Sequence, residues 1–246
     1  MSTDQRPTGH RSGSSPRPAA GAGRLGRRAL LAGALATTAG VGALSLADVV
    51  PWPRGDVDLT WLAERLRADP ALSVAEEAGW ADRGRPFGGF APVGVLMHHT
   101  AFRASAEDPA PALTTVRDGR EGLAGPLCHV LVDRDGACRV IAAGRASHAG
   151  EAVESGPVPG GDGNVHYVGI EIDYAPQEPY GQSPTEAQGA AAIAAAAAIV
   201  SGLGRDAAHV RFHAETSTAG KWDPGGWLSA DAFRAQVATV LAERWA

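Results

Sequence analysis

Residues 167–202 read YVGIEIDYAPQEPYGQSPTEAQGAAAIAAAAAIVSG and contain a strand, a loop and a helix in succession. Apolar and polar residues alternate over Tyr167–Asp173, which is typical of a strand with two different faces. The apolar face carries Val168, Ile170 and Ile172. Glu171 must therefore project from the opposite face, where its carboxylate is free to take part in a site.

The helix that follows is predicted from its ends. The sequence Ser183-Pro184-Thr185-Glu186 offers an N-cap serine, a proline at the first helical position and a glutamate at N3. An alanine tract with Ile193 and Ile199 then continues the helix, and Gly202 or Gly204 ends it. Because the tract has caps and spaced isoleucines, we interpret it as a packed helix and not as low-complexity sequence.

Further strands and helices alternate on both sides of this stretch. They are a helix near residues 58–69 capped by Asp58 or Thr60, a strand at Val93–His98, a hairpin at 129–141, a strand at His209–His213 and a helix at 230–244 behind Ser229. The strand at Val93–His98 is apolar on both faces and should lie inside the sheet. This order predicts a single α/β domain with a central mixed β-sheet flanked by helices.

The front of the chain has a different character. Residues 1–28 hold six arginines against one acid, and no charged residue occurs from Ala29 to Ala47. A basic region, an apolar region and the small-residue stop Ser45-Leu46-Ala47 predict an export signal over residues 1–47. The pair Arg27-Arg28 resembles a twin-arginine signal. A membrane anchor is the alternative, although seven alanines and three glycines among these nineteen residues favour a removed signal.

Composition limits what the rest can be. The chain has 246 residues, a length that fits one domain with an appendage. Its net charge of -5 does not indicate a basic surface of the kind that binds nucleic acid. We divide it into the signal, a lead-in with a short helix over 48–74, and a main domain over 75–246, and we expect a monomer. Cys128 and Cys138 are offset in the predicted hairpin beyond the ~7 Å that a disulfide tolerates, so two free thiols are predicted.

Polar residues gather at the ends of the predicted strands. His98, His213 and Asp223 offer two imidazoles and a carboxylate, a set that suits Zn²⁺ and leaves a fourth position for a reactive water. Lys221 precedes Asp223 by two residues, and Glu171 lies on a neighbouring strand. Each feature alone has an ordinary alternative, such as a surface histidine pair, a turn or an edge carboxylate. Their convergence predicts a zinc amidase with its metal in a surface groove.

Five ordered motifs extend this interpretation to a family. They are HHTA (98–101), CHVLVDRDG (128–136), GRASHAGE (144–151), VGIEID (168–173) and His213 followed ten residues later by Asp223-Pro224-Gly225. Together they span about residues 75–235 and resemble the zinc N-acetylmuramoyl-L-alanine amidases of the peptidoglycan-recognition and phage-lysozyme superfamily. The resemblance implies that His98, His213 and Asp223 bind zinc.

The resemblance also implies roles for other residues. Glu171 would be the general base, Lys221 would stabilise the oxyanion, and His129 and His148 would contact substrate. Many members carry a cysteine at the position of Lys221, whereas the branch that acts on anhydro-muropeptides has this lysine and the aspartate. The tyrosine of the phage-type branch is replaced here by Cys128.

The implied reaction is cleavage of the bond between the lactyl group of N-acetylmuramic acid and L-alanine, in peptidoglycan or muropeptides outside the membrane. Two other functions stay open. A recognition domain could hold muropeptides without cutting them, and a zinc hydrolase could act on another acylated amino acid. Specificity would lie in loops such as 150–165 and 174–183.

Overall fold

The computed structural model describes residues 58–245. The predicted export signal and the lead-in up to residue 57 lie outside the described residues. The helices are α1 Leu62–Arg67, α2 Leu113–Asp118, α3 Gly163–His166, α4 Glu186–Gly202, α5 His213–Thr216 and α6 Ala230–Arg244, with 3-10 turns at Trp80–Asp82 and Ala207–His209. The strands are β1 Val74–Glu76, β2 Gly94–His99, β3 Gly119–Arg120, β4 Leu123–Ala124, β5 Val130–Val132, β6 Cys138–Val140, β7 Glu151–Ala152, β8 Gly161–Asp162, β9 Tyr167–Ile172 and β10 Val210–Phe212. None of the described helices is both long and apolar enough to cross a membrane.

A six-stranded mixed sheet organises the described chain. Its strand order is β1-β6-β5-β9-β2-β10, and every neighbouring pair is parallel except the hairpin β5–β6. Two short antiparallel pairs, β3–β4 and β7–β8, lie outside it. The predicted mixed sheet is confirmed, and β2 has a partner on each side as its uniformly apolar sequence predicted.

Helices α1, α4 and α6 cover one face of this sheet. Strand residues with the predicted alternation, Val168, Ile170 and Ile172, point into the resulting core. Helix α4 is buried along most of its length because it packs against β9, β2 and β5 as well as against α1 and α6. Its alanines therefore serve close packing, since a larger side chain would hold the helix away from its neighbours.

The start of α4 differs from the prediction. The helix begins after Thr185, whose Oγ1 accepts the N–H of Gln188 at 3.0 Å, while Gln188 Oε1 accepts the N–H of Thr185 at 3.1 Å. This reciprocal pair forms the capping box in place of Ser183 and Glu186. The end is as predicted: α4 stops at Gly202, and Gly204 follows with a positive φ of 66°.

The first helix joins the same core as the rest of the described chain. Leu62 and Leu66 of α1, together with Leu59 just ahead of it, are fully buried. The predicted caps are wrong, because α1 begins after Trp61 without a side-chain cap and Asp58 bonds the N–H of Thr60 ahead of the helix. The C-terminal helix α6 is tied to this region by Arg244, whose Nη1 lies 2.7 Å from each carboxylate oxygen of buried Asp69.

The two cysteines are free, as predicted. Cys138 pairs with Val132 in the hairpin and faces the main core. Cys128 lies in a separate small cluster with residues of α2. Burial raises the pKa of Cys138 to about 12, so this thiol is chemically quiet.

Candidate active site

Parallel strands bring the predicted site residues to one edge of the sheet. His98 lies near the carboxyl end of β2 and is the register partner of Glu171 on β9. His213 comes directly after β10, which pairs with β2 on its other side. Because parallel strands end at the same edge, three residues far apart in sequence become neighbours.

Three donor atoms meet in a small triangle at this edge. His98 Nδ1 lies 3.1 Å from His213 Nδ1 and 2.9 Å from Asp223 Oδ2, and His213 Nδ1 lies 3.0 Å from the same oxygen. Both imidazoles are buried, with 2% and 5% of their surface exposed. Among the described residues, these three are the group of histidines, cysteines and carboxylates found close enough together to hold a metal ion.

The contacts of the Nε2 atoms of His98 and His213, which face away from the triangle, determine whether the Nδ1 atoms inside it carry a proton. His213 Nε2 lies 3.1 Å from the carbonyl oxygen of Ala149, which can only accept a hydrogen bond. His213 therefore carries its proton on Nε2 and presents a bare Nδ1 to the triangle. His98 Nε2 lies 3.0 Å from His148 Nδ1 in a corresponding arrangement.

This donor set fits a metal cation. Two unprotonated ring nitrogens and a carboxylate oxygen at about 3 Å separation repel one another unless a positive charge lies between them. Two histidines and one carboxylate are ligands that catalytic zinc sites use.

Of the three candidate ligands, Asp223 is the one carried by a loop. Its side chain is 13% exposed, and its carbonyl accepts the N–H of Ala214 at 2.9 Å. The next turn is gripped at Gly225, whose N–H donates to His99 Nδ1 at 3.0 Å and whose carbonyl accepts the Tyr174 hydroxyl at 2.6 Å. Burial lowers the pKa of His99 to about 4, so its ring is neutral and able to accept.

Glu171 faces the triangle from β9 and is poised for proton transfer. Burial, followed by the nearby carboxylates of Asp223 and Asp173, raises the pKa of Glu171 well above its usual range. No described group hydrogen-bonds its Oε2 atom. The Oε2 atom is itself buried without a partner, and a carboxyl group with a raised pKa beside a set of metal-type ligands is a candidate for proton transfer.

These groups line an open groove of about 590 Å³. Lys221 and Trp222 form part of one wall, next to Asp223, and the Trp222 side chain is 54% exposed. Phe102 and Arg120 are further lining residues. A groove with a polar floor and exposed aromatic walls suits an extended ligand that carries both polar and apolar groups.

The comparisons with known proteins agree with this site. The family model described as N-acetylmuramoyl-L-alanine amidase matches residues 89–226, which is more than half of the chain. The chain belongs to the N-acetylmuramoyl-L-alanine amidase family. Peptidoglycan amidase activity follows from that membership, and the resemblance read from the five motifs is confirmed. Amidases of this family typically depend on zinc, and the matched segment includes His98, His213 and Asp223.

Several solved structures of amidases match part of this chain. The selenomethionine derivative of AmpD is 20% identical with a TM-score of 0.47, covering 68% of this chain and 94% of that chain. The catalytic domain of XlyA is 22% identical with a TM-score of 0.49, covering 68% and 99%. The N-acetylmuramoyl-L-alanine amidase LysC from Clostridium intestinale URNW is 16% identical with a TM-score of 0.46, covering 67% and 97%. No curated protein matches the chain by sequence.

The two histidines predicted to contact substrate lie at different depths in the amidase. His148 lines the groove, but both of its ring nitrogens are engaged with protein atoms. His129 is fully buried beneath it and stacks on Phe90 with ring centroids 5.1 Å apart. A side chain with no exposed surface cannot touch substrate in this structure, so the contact predicted for His129 is replaced by a packing role.

Sequence reasoning missed the residues that shape the amidase groove. Asp173 is buried, accepts the Thr100 hydroxyl at 2.6 Å and the N–H of Ala112 at 3.1 Å, and so joins β9 to two segments of the groove wall. Gln177 donates to the carbonyl of Ala101 at 2.8 Å, and Ala101 has a positive φ of 63°. The sequence shows Asp173 two residues after Glu171 in VGIEID, but its hydrogen-bond partners Thr100 and Ala112 lie in loops distant in sequence.

Proposed function

We propose that the chain is a zinc-dependent N-acetylmuramoyl-L-alanine amidase that acts on wall peptidoglycan outside the membrane. The observation that carries the proposal is the triangle of His98, His213 and Asp223 with the carboxylate of Glu171 beside it, whose buried Oε2 atom has no described hydrogen-bond partner. His98, His213 and Asp223 would hold the metal. When bound, zinc would supply Lewis-acid chemistry and lower the pKa of water toward ~7.

The chain's own residues account for the proton movements. Glu171 accepts a proton from the attacking water and returns it to the nitrogen of the departing L-alanine. Lys221 carries the positive charge beside the groove that favours negative charge developing on the scissile carbonyl oxygen. The raised pKa of Glu171 supports this role, because it makes the carboxylate a stronger base than an exposed glutamate.

The groove supports a glycopeptide as substrate. Exposed Trp222 and Phe102 offer apolar faces on which a sugar ring can stack, and Arg120 offers a positive charge for an acidic stem peptide. A domain that only binds muropeptides has no need for a buried base beside a complete ligand set. Hydrolysis of another acylated amino acid would use the same residues and is distinguished by its products.

Identification of the products tests the proposal. Full-length protein is incubated with purified muropeptides and zinc, and the products are analysed by mass spectrometry and amine labelling. We expect a new amino terminus on L-alanine and a free lactyl carboxyl group, with both lost in Glu171→Gln. Cleavage at another bond, or unchanged cleavage after removal of the metal by a chelator, would contradict the proposal.

Export is a separate part of the proposal and is supported only by the sequence of residues 1–47. A twin-arginine route would let the domain fold and take up its metal before it crosses the membrane. Changing Arg27-Arg28 to Lys-Lys should leave uncut precursor inside the cell. Mature enzyme outside the membrane in that variant would favour the general secretory route, and full-length protein in the membrane fraction would favour an anchor.

A further inference from the structure

His148 and Ala149 contact the imidazoles of the two proposed histidine ligands. The His148 ring meets the His98 ring edge-on, with centroids 5.1 Å apart, and its Nδ1 lies 3.0 Å from His98 Nε2. Its other nitrogen, Nε2, lies 3.2 Å from the carbonyl oxygen of Tyr167. The following carbonyl, that of Ala149, lies 3.1 Å from His213 Nε2. One dipeptide therefore contacts the outer nitrogen of both ligands.

The chemistry of these contacts fixes every proton in the series. A carbonyl oxygen only accepts, so the contact with Tyr167 requires the proton of the neutral His148 ring to sit on Nε2. His148 Nδ1 is then an acceptor, and His98 must donate its Nε2–H to it. A cationic His148 would instead donate to His98 Nε2 and leave the proton of His98 on Nδ1, where the metal would bind, so the arrangement requires a neutral His148 ring. His98 is left with a bare Nδ1 directed at the triangle.

We propose that the dipeptide His148-Ala149 is a bracket that fixes the orientation and the tautomer of both histidine ligands, an inference that rests on the zinc site proposed above. His148 acts through His98, and the Ala149 carbonyl acts through His213. Neither is a catalytic residue, and His148 is a positioning residue in place of the substrate contact that its motif predicted. A ligand histidine held in this way loses less freedom on binding the metal and is a stronger donor.

The bracket is itself held from behind by Asn164. The Oδ1 atom of this side chain accepts the N–H of His148 at 2.7 Å and the N–H of Ala149 at 2.8 Å. Both backbone amides of the dipeptide are thus satisfied by one side chain. Asn164 forms no described hydrogen bond with a ligand residue, so any influence it has on the metal must pass through the bracket.

The surface on which the His148 ring packs leaves room for the ring only because residue 169 is glycine. Gly169 lies beneath the ring, and a Cβ there would be 2.7 Å from His148 Nδ1, which is closer than packing allows. His129 holds that glycine in place, because its Nδ1 accepts the Gly169 N–H and its own N–H donates to the Gly169 carbonyl, each at 2.9 Å. The His129 ring also meets the His148 ring edge-on at 5.5 Å. Buried His129 therefore supports the bracket.

Zinc affinity of matched His148 variants tests the bracket in full-length protein. Asn and Gln carry the same amide, but the Asn oxygen lies near the position of Nδ1 and can accept from His98, whereas the Gln amide reaches toward the position of Nε2. We expect His148→Ala and His148→Gln to lower zinc affinity by roughly 10- to 100-fold, and His148→Asn to restore most of it. The dissociation constants are measured by competition with a chromogenic chelator.

A second pair of variants, at Asn164, tests the bracket without altering a residue that contacts the proposed ligands. Asn164→Ala should also lower zinc affinity, whereas Asn164→Asp keeps an accepting oxygen and should lower it less. Thermal unfolding in excess chelator shows whether each metal-free variant folds. If His148→Ala does not fold, the Asn and Gln variants and the Asn164 pair still decide the matter.

Three outcomes separate this inference from the proposed function. Wild-type protein that does not bind zinc would overturn the zinc site itself. Wild-type affinity in every His148 variant, with a raised KM and an unchanged kcat, would make His148 a substrate contact and overturn the bracket alone. Equal losses in the Ala, Gln and Asn variants would show that ring packing matters and the accepting atom does not, which would also overturn it.

Discussion

The site is assembled from two halves that are held in different ways. The strand side carries His98, Glu171 and His213, whose backbones belong to the sheet or directly follow it. The loop side carries Lys221 and Asp223 on a segment with exposed neighbours, held by a few hydrogen bonds. The difference teaches that the sheet positions two of the proposed ligands and the proposed base before any metal binds, whereas the third proposed ligand depends on side chains that hold its loop.

The largest expected effect comes from removing the ligand on the loop side. Asp223→Ala should weaken zinc binding by more than the roughly 100-fold that loss of a supporting partner costs, because two ligands make an incomplete site. Asp135→Ala, which removes an exposed carboxylate in the β5–β6 turn, is the control and should bind zinc normally. Unchanged metal content and affinity in Asp223→Ala would show that the halves do not meet at a metal.

The next effect compares one catalytic group from each half. Glu171→Gln should reduce turnover by roughly 100-fold or more while zinc binding and unfolding temperature stay unchanged. Lys221→Ala should lower kcat more than it raises KM, because it removes charge stabilisation that matters most in the transition state. Steady-state kinetics on zinc-loaded protein measure both. Near-full activity of Glu171→Gln would require another base.

A smaller effect should follow from loosening the grip on the loop. Tyr174→Phe removes the hydroxyl that donates to the Gly225 carbonyl, at a cost of about 1 kcal/mol, which corresponds to roughly a fivefold weaker zinc affinity. Tyr180→Phe removes a hydroxyl from an exposed side chain and should change nothing. If the two variants behave alike, the loop does not need this hydrogen bond to present Asp223.

The smallest effect concerns strain beside the groove. Ala101 has a φ of 63°, a conformation that costs an L-residue about 1 kcal/mol and glycine much less. Ala101→Gly should therefore raise the free energy of unfolding by up to about 1 kcal/mol, offset in part by greater freedom of the unfolded chain. Ala190→Gly, on the exposed side of α4, should lower it by about 1 kcal/mol. Destabilisation by both substitutions, measured in urea, would contradict the strain.

The strand side could be predicted from sequence, and the loop side only in part. Alternation of apolar residues placed Glu171 on the groove face, and the motifs pointed to the three proposed ligands. No sequence pattern predicted the hydrogen bonds that join residues far apart in the chain. The contact of Tyr174 with Gly225 and that of His99 with the same residue depend on how a turn folds back onto β2 and β9.

Two local errors have the same origin. Ser183 and Thr185 are both able to cap a helix, and the choice between them depended on whether Gln188 could reach back to Thr185. His129 and His148 belong to neighbouring family motifs, and nothing in their sequence shows that one lies beneath the other. Burial depth follows from sheet packing, which local patterns do not encode.

The alanine helix α4 limits which positions of this amidase can accept larger side chains during evolution. Ala195, Ala196, Ala197 and Ala198 have no exposed surface, so each added methylene there would cost about 1–3 kcal/mol through overpacking. Larger residues at these positions would destabilise the fold, so they cannot be used to change substrate specificity. A library aimed at a different cell-wall chemistry should leave α4 untouched and randomise residues 178–181, which are exposed and follow the groove residue Gln177.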